Sequence, residues 1–83
     1  MVDYSYEIIN QIKGAKDGSD VKIIIGNSIQ KQNFKDIRRF MMNIVMALRY
    51  VKAEGLDPKA LQNVDTAIEV IEELRKQEYG NLF

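Results

Sequence analysis

Chemistry has few groups to work with in this chain. It contains neither histidine nor cysteine. The side chain that titrates near neutral pH, the thiolate nucleophile and the commonest zinc ligands are therefore all missing. The remaining nucleophiles and bases are Ser, Lys, Tyr, Asp and Glu, and none sits in a recognisable catalytic pattern. The expectation is a non-enzymatic protein with no catalytic, cofactor-binding or metal-ligating residues.

Two constellations still merit weighing. Asp65, Glu69, Glu72 and Glu73 fall on one flank of a predicted helix, with Lys76 four residues after Glu72. Helical carboxylates at such spacing can hold a divalent cation, but the di-metal helical sites add Glu-x-x-His. Without histidine, a solvated acidic stripe with i, i+4 pairing is the better reading. Gly14 to Gly18 has two glycines, flanked by Lys13 and Lys16, but lacks the phosphate-loop pattern and reads as a turn.

The basic residues are more suggestive. Lys22 to Lys52 holds seven cations against one acid, Asp36, whereas Ala53 to Phe83 holds seven acids against three cations. Lys31, Lys35, Arg38 and Arg39 form a candidate polyanion contact. Arg38, Arg49 and Lys52 share a flank near Tyr50. The net charge is zero, which weakens non-specific attraction for nucleic acid. The favoured reading is a solvated flank that pairs with the acidic helix.

These side chains need elements to position them. Tyr4, Ile8, Ile9 and Ile12 mark a short helix over residues 4–13 with Asp3 as its N-cap. The run from Lys16 to Asp20 reads as an exposed turn. Val21-Lys22-Ile23-Ile24-Ile25 is β-branched and short, which predicts a strand. Gly26-Asn27 predicts a hairpin turn into a weak second strand over 28–32, where extension of the next helix is the alternative. Asn33 and Asp36 have capping-box spacing, so a helix is expected over 34–53, ended by Gly55. Asp57-Pro58 starts the last helix, stopped near Tyr79 by Gly80. The predicted fold is α+β and mostly α, one domain over 1–83. A helix and strand ribbon (1–33) precede an antiparallel helical hairpin (34–79).

The helix over 34–53 is apolar on two sides. Ile37, Phe40, Met41, Ile44, Leu48 and Val51 form a core stripe that faces Leu61, Val64, Ala67, Ile68, Ile71 and Leu74 of the last helix. Met42, Met46 and Tyr50 form a ridge on the other side. A helix apolar on both sides is normally buried on both. The cover is either the N-terminal part of this chain, a second copy, or a partner or ligand, methionine being common at adaptable surfaces.

Gly55-Leu56-Asp57-Pro58-Lys59-Ala60-Leu61, between two helices, resembles the loop of the small helical-hairpin phosphatases that regulate sporulation phosphorelays. That family carries a Ser-Gln-x-x-x-Asp signature on its second helix. Here the stretch reads Gln62-Asn63-Val64-Asp65-Thr66-Ala67-Ile68, so the resemblance ends at the loop and the family is not assigned.

The functional expectation is a small homo-oligomeric binding protein, an adaptor, inhibitor or regulator of another protein. Its interface residues would be Met42, Met46 and Tyr50, together with the strand residues Val21, Ile23 and Ile25. A short chain without disulfide or metal gains from a second subunit, and a twofold dimer is the simplest arrangement. One alternative is a nucleic-acid-binding regulator using the basic 31–52 segment. Another is a small-ligand binder at a subunit junction lined by Tyr4, Tyr6 or Tyr50. No stretch approaches the ~20 apolar residues of a membrane span. With no signal-peptide core near the N-terminus, a soluble, cytoplasmic protein is expected.

Overall fold

The computed structural model describes the backbone of residues 4–77 and the side chains of residues 6–33 and 35–77. Four α-helices follow in order: α1 (Tyr4–Lys13), α2 (Gly18–Gln30), α3 (Phe34–Glu54) and α4 (Pro58–Gln77). There is no strand among the described residues. The class is all-α, and the expected α+β arrangement is corrected at one place: the predicted ribbon is α2.

The reason is local. Asp17 caps α2, its carboxylate accepting from the Asp20 backbone N–H at 3.0 Å, while Asp20 accepts in return from the Lys16 N–H at 3.0 Å. Asp17-Gly18-Ser19-Asp20 is thus a helix start close to a capping box, rather than an exposed turn. Helical spacing then places Val21, Ile25 and Ser28 on the buried side. β-Branched residues in a helix cost at most about 0.7 kcal/mol each. Burying Val21 and Ile25 returns about 1.5–3 kcal/mol apiece. A two-stranded ribbon would be marginal and would leave its edges unpaired. Gly26 and Asn27, expected to turn the hairpin, lie inside the helix, and the weak second strand over 28–32 becomes its last turn and the start of the α2–α3 connection.

The helical hairpin stands as expected. Gly55 adopts φ +97, a conformation L side chains rarely reach, and its N–H closes α3 on the Lys52 carbonyl at 3.2 Å. Asp57 accepts from the Ala60 N–H at 2.8 Å, capping α4 ahead of Pro58. The start of α3 differs in detail: Asn33 makes no side-chain cap bond, and the Asp36 N–H instead donates to the Asn33 carbonyl at 2.8 Å. The expected cap at Asp3 and the stop at Tyr79 and Gly80 lie outside the described residues.

Every helix contributes to one core. Ile8, Ile9 and Ile12 of α1 and Val21 and Ile25 of α2 meet Ile37, Met41, Ile44, Val45 and Leu48 of α3 and Val64, Ala67 and Ile71 of α4. Asn63 is buried within this packing. Its amide donates to the carbonyls of Lys13 at 3.3 Å and Ala15 at 2.9 Å, satisfying acceptors that the end of α1 leaves without helical partners. Nearby, the Lys59 ammonium donates to the Lys16 carbonyl at 2.6 Å. The first turns of α4 therefore hold the α1–α2 connection in place.

Candidate functional site

With the core assembled, the outer face of α3 stays uncovered among the described residues. Met42 is 39%, Met46 62% and Tyr50 69% exposed, so the described chain does not bury this ridge as core. Projected at about 100° per residue, Met42 and Met46 point away from the Ile37–Met41–Ile44–Leu48 stripe, and Tyr50 borders them. Their exposure follows from the hairpin: α4 covers one side of α3, and α1 and α2 pack against that same inner side.

Cations surround the upper end of the ridge. Lys35, Arg38 and Arg39 line a shallow concavity of about 280 Å³ with Met42 and Asn43. Among the described residues, Lys35 and Arg39 have no ion pair. Toward the lower end the cations are engaged. Arg49 meets Glu72 at 3.3 Å and Lys52 meets Asp65 at 2.7 Å, both across the α3–α4 hairpin. These are the expected pairings of a basic flank with the acidic helix. Exposed pairs of this kind contribute about 0–1 kcal/mol.

The other predicted interface residues do not join this face. Val21 and Ile25 are 0% and 2% exposed, held in the core by α2, and the described residues include no strand edge to carry them to a partner. Ile23 is 60% exposed but sits on the outer side of α2. A lone surface apolar residue is ordinary. Lys31 follows α2 and borders a separate cleft of about 340 Å³ between α1 and α2, with Glu7, Gln11 and Gln32. The four residues of the candidate polyanion contact therefore divide, three on α3 and one beside α1.

Some of the remaining polar side chains are engaged within the fold, while Lys22 and Glu69 line an open cleft of about 770 Å³ between α2 and α4. Glu72 also meets Arg75 at 3.5 Å, and Glu73 accepts from the Gln77 amide at 2.8 Å. No group of three or more Asp or Glu among the described residues is placed to hold a metal ion. The buried Ser28 hydroxyl donates to the Ile24 carbonyl at 2.8 Å, an interaction within its own helix. Tyr6 is exposed on α1, on a different helix from Tyr50, while the Tyr4 side chain lies outside the described set. No helix is long and apolar enough to cross a membrane among the described residues.

Comparison with known proteins leaves this face to be read on its own chemistry. No family model, no curated protein and no solved structure matches the chain.

Proposed function

We propose that this is a non-enzymatic binding domain that engages another protein through the outer face of α3. The observation that carries the reading is the alignment of Met42, Met46 and Tyr50, all exposed, on one side of a helix whose other side is fully used by the core. Large apolar side chains grouped in this way, rimmed by polar residues, mark interaction surfaces. Methionine adapts its shape to different partners, and tyrosine adds contact area at low entropic cost.

The test places a photo-cross-linking residue at position 46 in the native host, with position 62 on the outer side of α4 as control. Protein adducts formed at 46 and absent at 62 support a docking face on α3. Absence of protein adducts at 46 refutes it. Turnover of a phosphate ester or peptide by the purified chain, lost on changing one polar residue, would overturn the non-enzymatic part.

Nucleic-acid binding is the second reading, motivated by Lys35, Arg38 and Arg39 around one concavity. It predicts oligonucleotide affinity that falls steeply with salt. It is the weaker reading, because phosphates would meet the cations and leave Met42 and Met46 without an apolar counterpart.

A further inference from the structure

We infer that the occupant of the α3 face is an acidic amphipathic helix of another protein, not a second copy of this chain; the inference rests on the docking reading above. The shape requirement comes from spacing. Exposed positions 35, 39, 42, 46, 49 and 53 recur at intervals of four and three. That produces a nearly straight seam, the geometry along which a second helix packs. A partner helix using the same spacing sets its apolar residues against Met42 and Met46.

The charge requirement is equally specific. Between Lys35 and Tyr50 the chain has Lys35, Arg38, Arg39 and Arg49 against the single acid Asp36. Asp36 lies at the edge of the exposed side. Lys35 and Arg39 flank the methionines without an ion pair among the described residues, while Arg49 is already held by Glu72 at 3.3 Å. Carboxylates on the occupant are therefore matched at the Lys35–Arg39 end.

A second copy meets this face badly in either symmetric arrangement. An antiparallel twofold pairing that stacks Met42 on the second copy's Met46 faces like flank with like flank. In that register Arg39 lies opposite the second copy's Arg49, and the flank of Asp36 runs beside that of its Glu54. A parallel pairing brings Lys35 to Lys35 and Arg39 to Arg39 along the seam itself. Like charges so placed oppose association. A partner with carboxylates at those positions removes the conflict.

The test titrates the full chain with three synthetic peptides: a helical one with leucines at three- and four-residue spacing flanked by glutamates, its lysine-for-glutamate counterpart, and a glutamate-rich one without leucines. Fluorescence anisotropy should show the acidic amphipathic peptide binding at least about tenfold more tightly than the other two. Amide NMR shifts should map to the outer side of α3. Met46→Glu and, independently, Arg39→Glu should each weaken binding about fivefold or more, with Ile23→Glu on α2 neutral. Both altered side chains are exposed, and a circular-dichroism melt verifies folding. If Met46→Glu fails to fold, Arg39→Glu alone carries the comparison. Equal affinity for the lysine peptide, or shifts that map elsewhere, overturns the inference. So does a homodimer in sedimentation that Arg39→Glu strengthens or Met46→Glu dissociates. Protein cross-links at position 46 that persist while the acidic peptide fails to bind would reject the acidic helix alone. Absence of cross-links would reject the docking face as well.

Discussion

Asn63 illustrates what a single residue can do without any sequence signature. It follows Leu61 and Gln62 on α4 and reads as one more polar surface position, yet it is buried and its amide spans the Lys13 and Ala15 carbonyls. Its only sequence cue is its place in the buried row Ala60, Asn63, Val64 and Ala67, a pattern recognisable only once the hidden side of α4 is known. Asn63→Ala leaves those carbonyls without their donor and should cost about 2 kcal/mol in chemical denaturation, the order expected for an unsatisfied buried acceptor. Asn63→Asp replaces a donor with an anion facing two carbonyl oxygens and should cost more. Its burial would raise the folded-state pKa above the unfolded value of about 3.9, so the added loss develops as pH rises above about 4 and is relieved below it. Denaturation midpoints for both variants at acidic and neutral pH check this; a pH-independent Asn63→Asp penalty would contradict it. The ridge residues were legible because their signal is periodic. Met42, Met46 and Tyr50 recur every four residues, and projection alone separates them from the core stripe.

At the scale of elements, the helical hairpin was readable because its boundaries carry strong stereochemical markers, glycine at positive φ and an Asp-Pro start. The α2 segment was not, because two local signals conflict. Residue preference for Val and Ile favours a strand, whereas Asp17 and Asp20 favour a helix start. The cap and the burial of Val21 and Ile25 outweigh a propensity penalty of tenths of a kcal/mol per residue. Gly26 provides a direct test. A Cβ added there meets nothing within 4 Å, and an interior helical glycine is less stable than alanine by about 0.5–1 kcal/mol. Gly26→Ala should therefore raise the melting temperature by about 4–8 °C per kcal/mol gained. A hairpin turn requiring glycine would give a fall instead. The complementary change, Asp17→Ala, removes the bond to the Asp20 N–H and should lower stability by about 1 kcal/mol. A neutral result in the same melt would show that the cap does not hold α2.

The whole molecule joins opposite charge to a closed core. Cations dominate 22–52 and carboxylates dominate 53–83, and folding α3 against α4 brings the two together on one side while leaving the upper cations of α3 facing outward. The Cα radius of gyration is 12.1 Å, close to the roughly 11–12 Å expected for a compact chain of this length. A single copy thus closes its core with residues from all four helices, and the need for a second subunit argued from chain length alone is weakened. Met41 and Met46 separate core from surface within one helix. Met41 is 0% exposed and Met46 62%. Met41→Ala should cost about 2–5 kcal/mol, as core truncations do. Met46→Ala should remain within about 0.5 kcal/mol, as surface changes do. If Met46 were instead covered by a second copy, its truncation would destabilise the protein, and wild-type melting would depend on concentration, because subunit association stabilises by mass action. Melting over about a hundredfold range of protein concentration distinguishes the cases. A constant midpoint with a 9.6 kDa species in sedimentation is the expected outcome, leaving the α3 face open to a partner of complementary charge. A midpoint that climbs with concentration in the wild type and stops climbing in Met46→Ala would return that face to self-association.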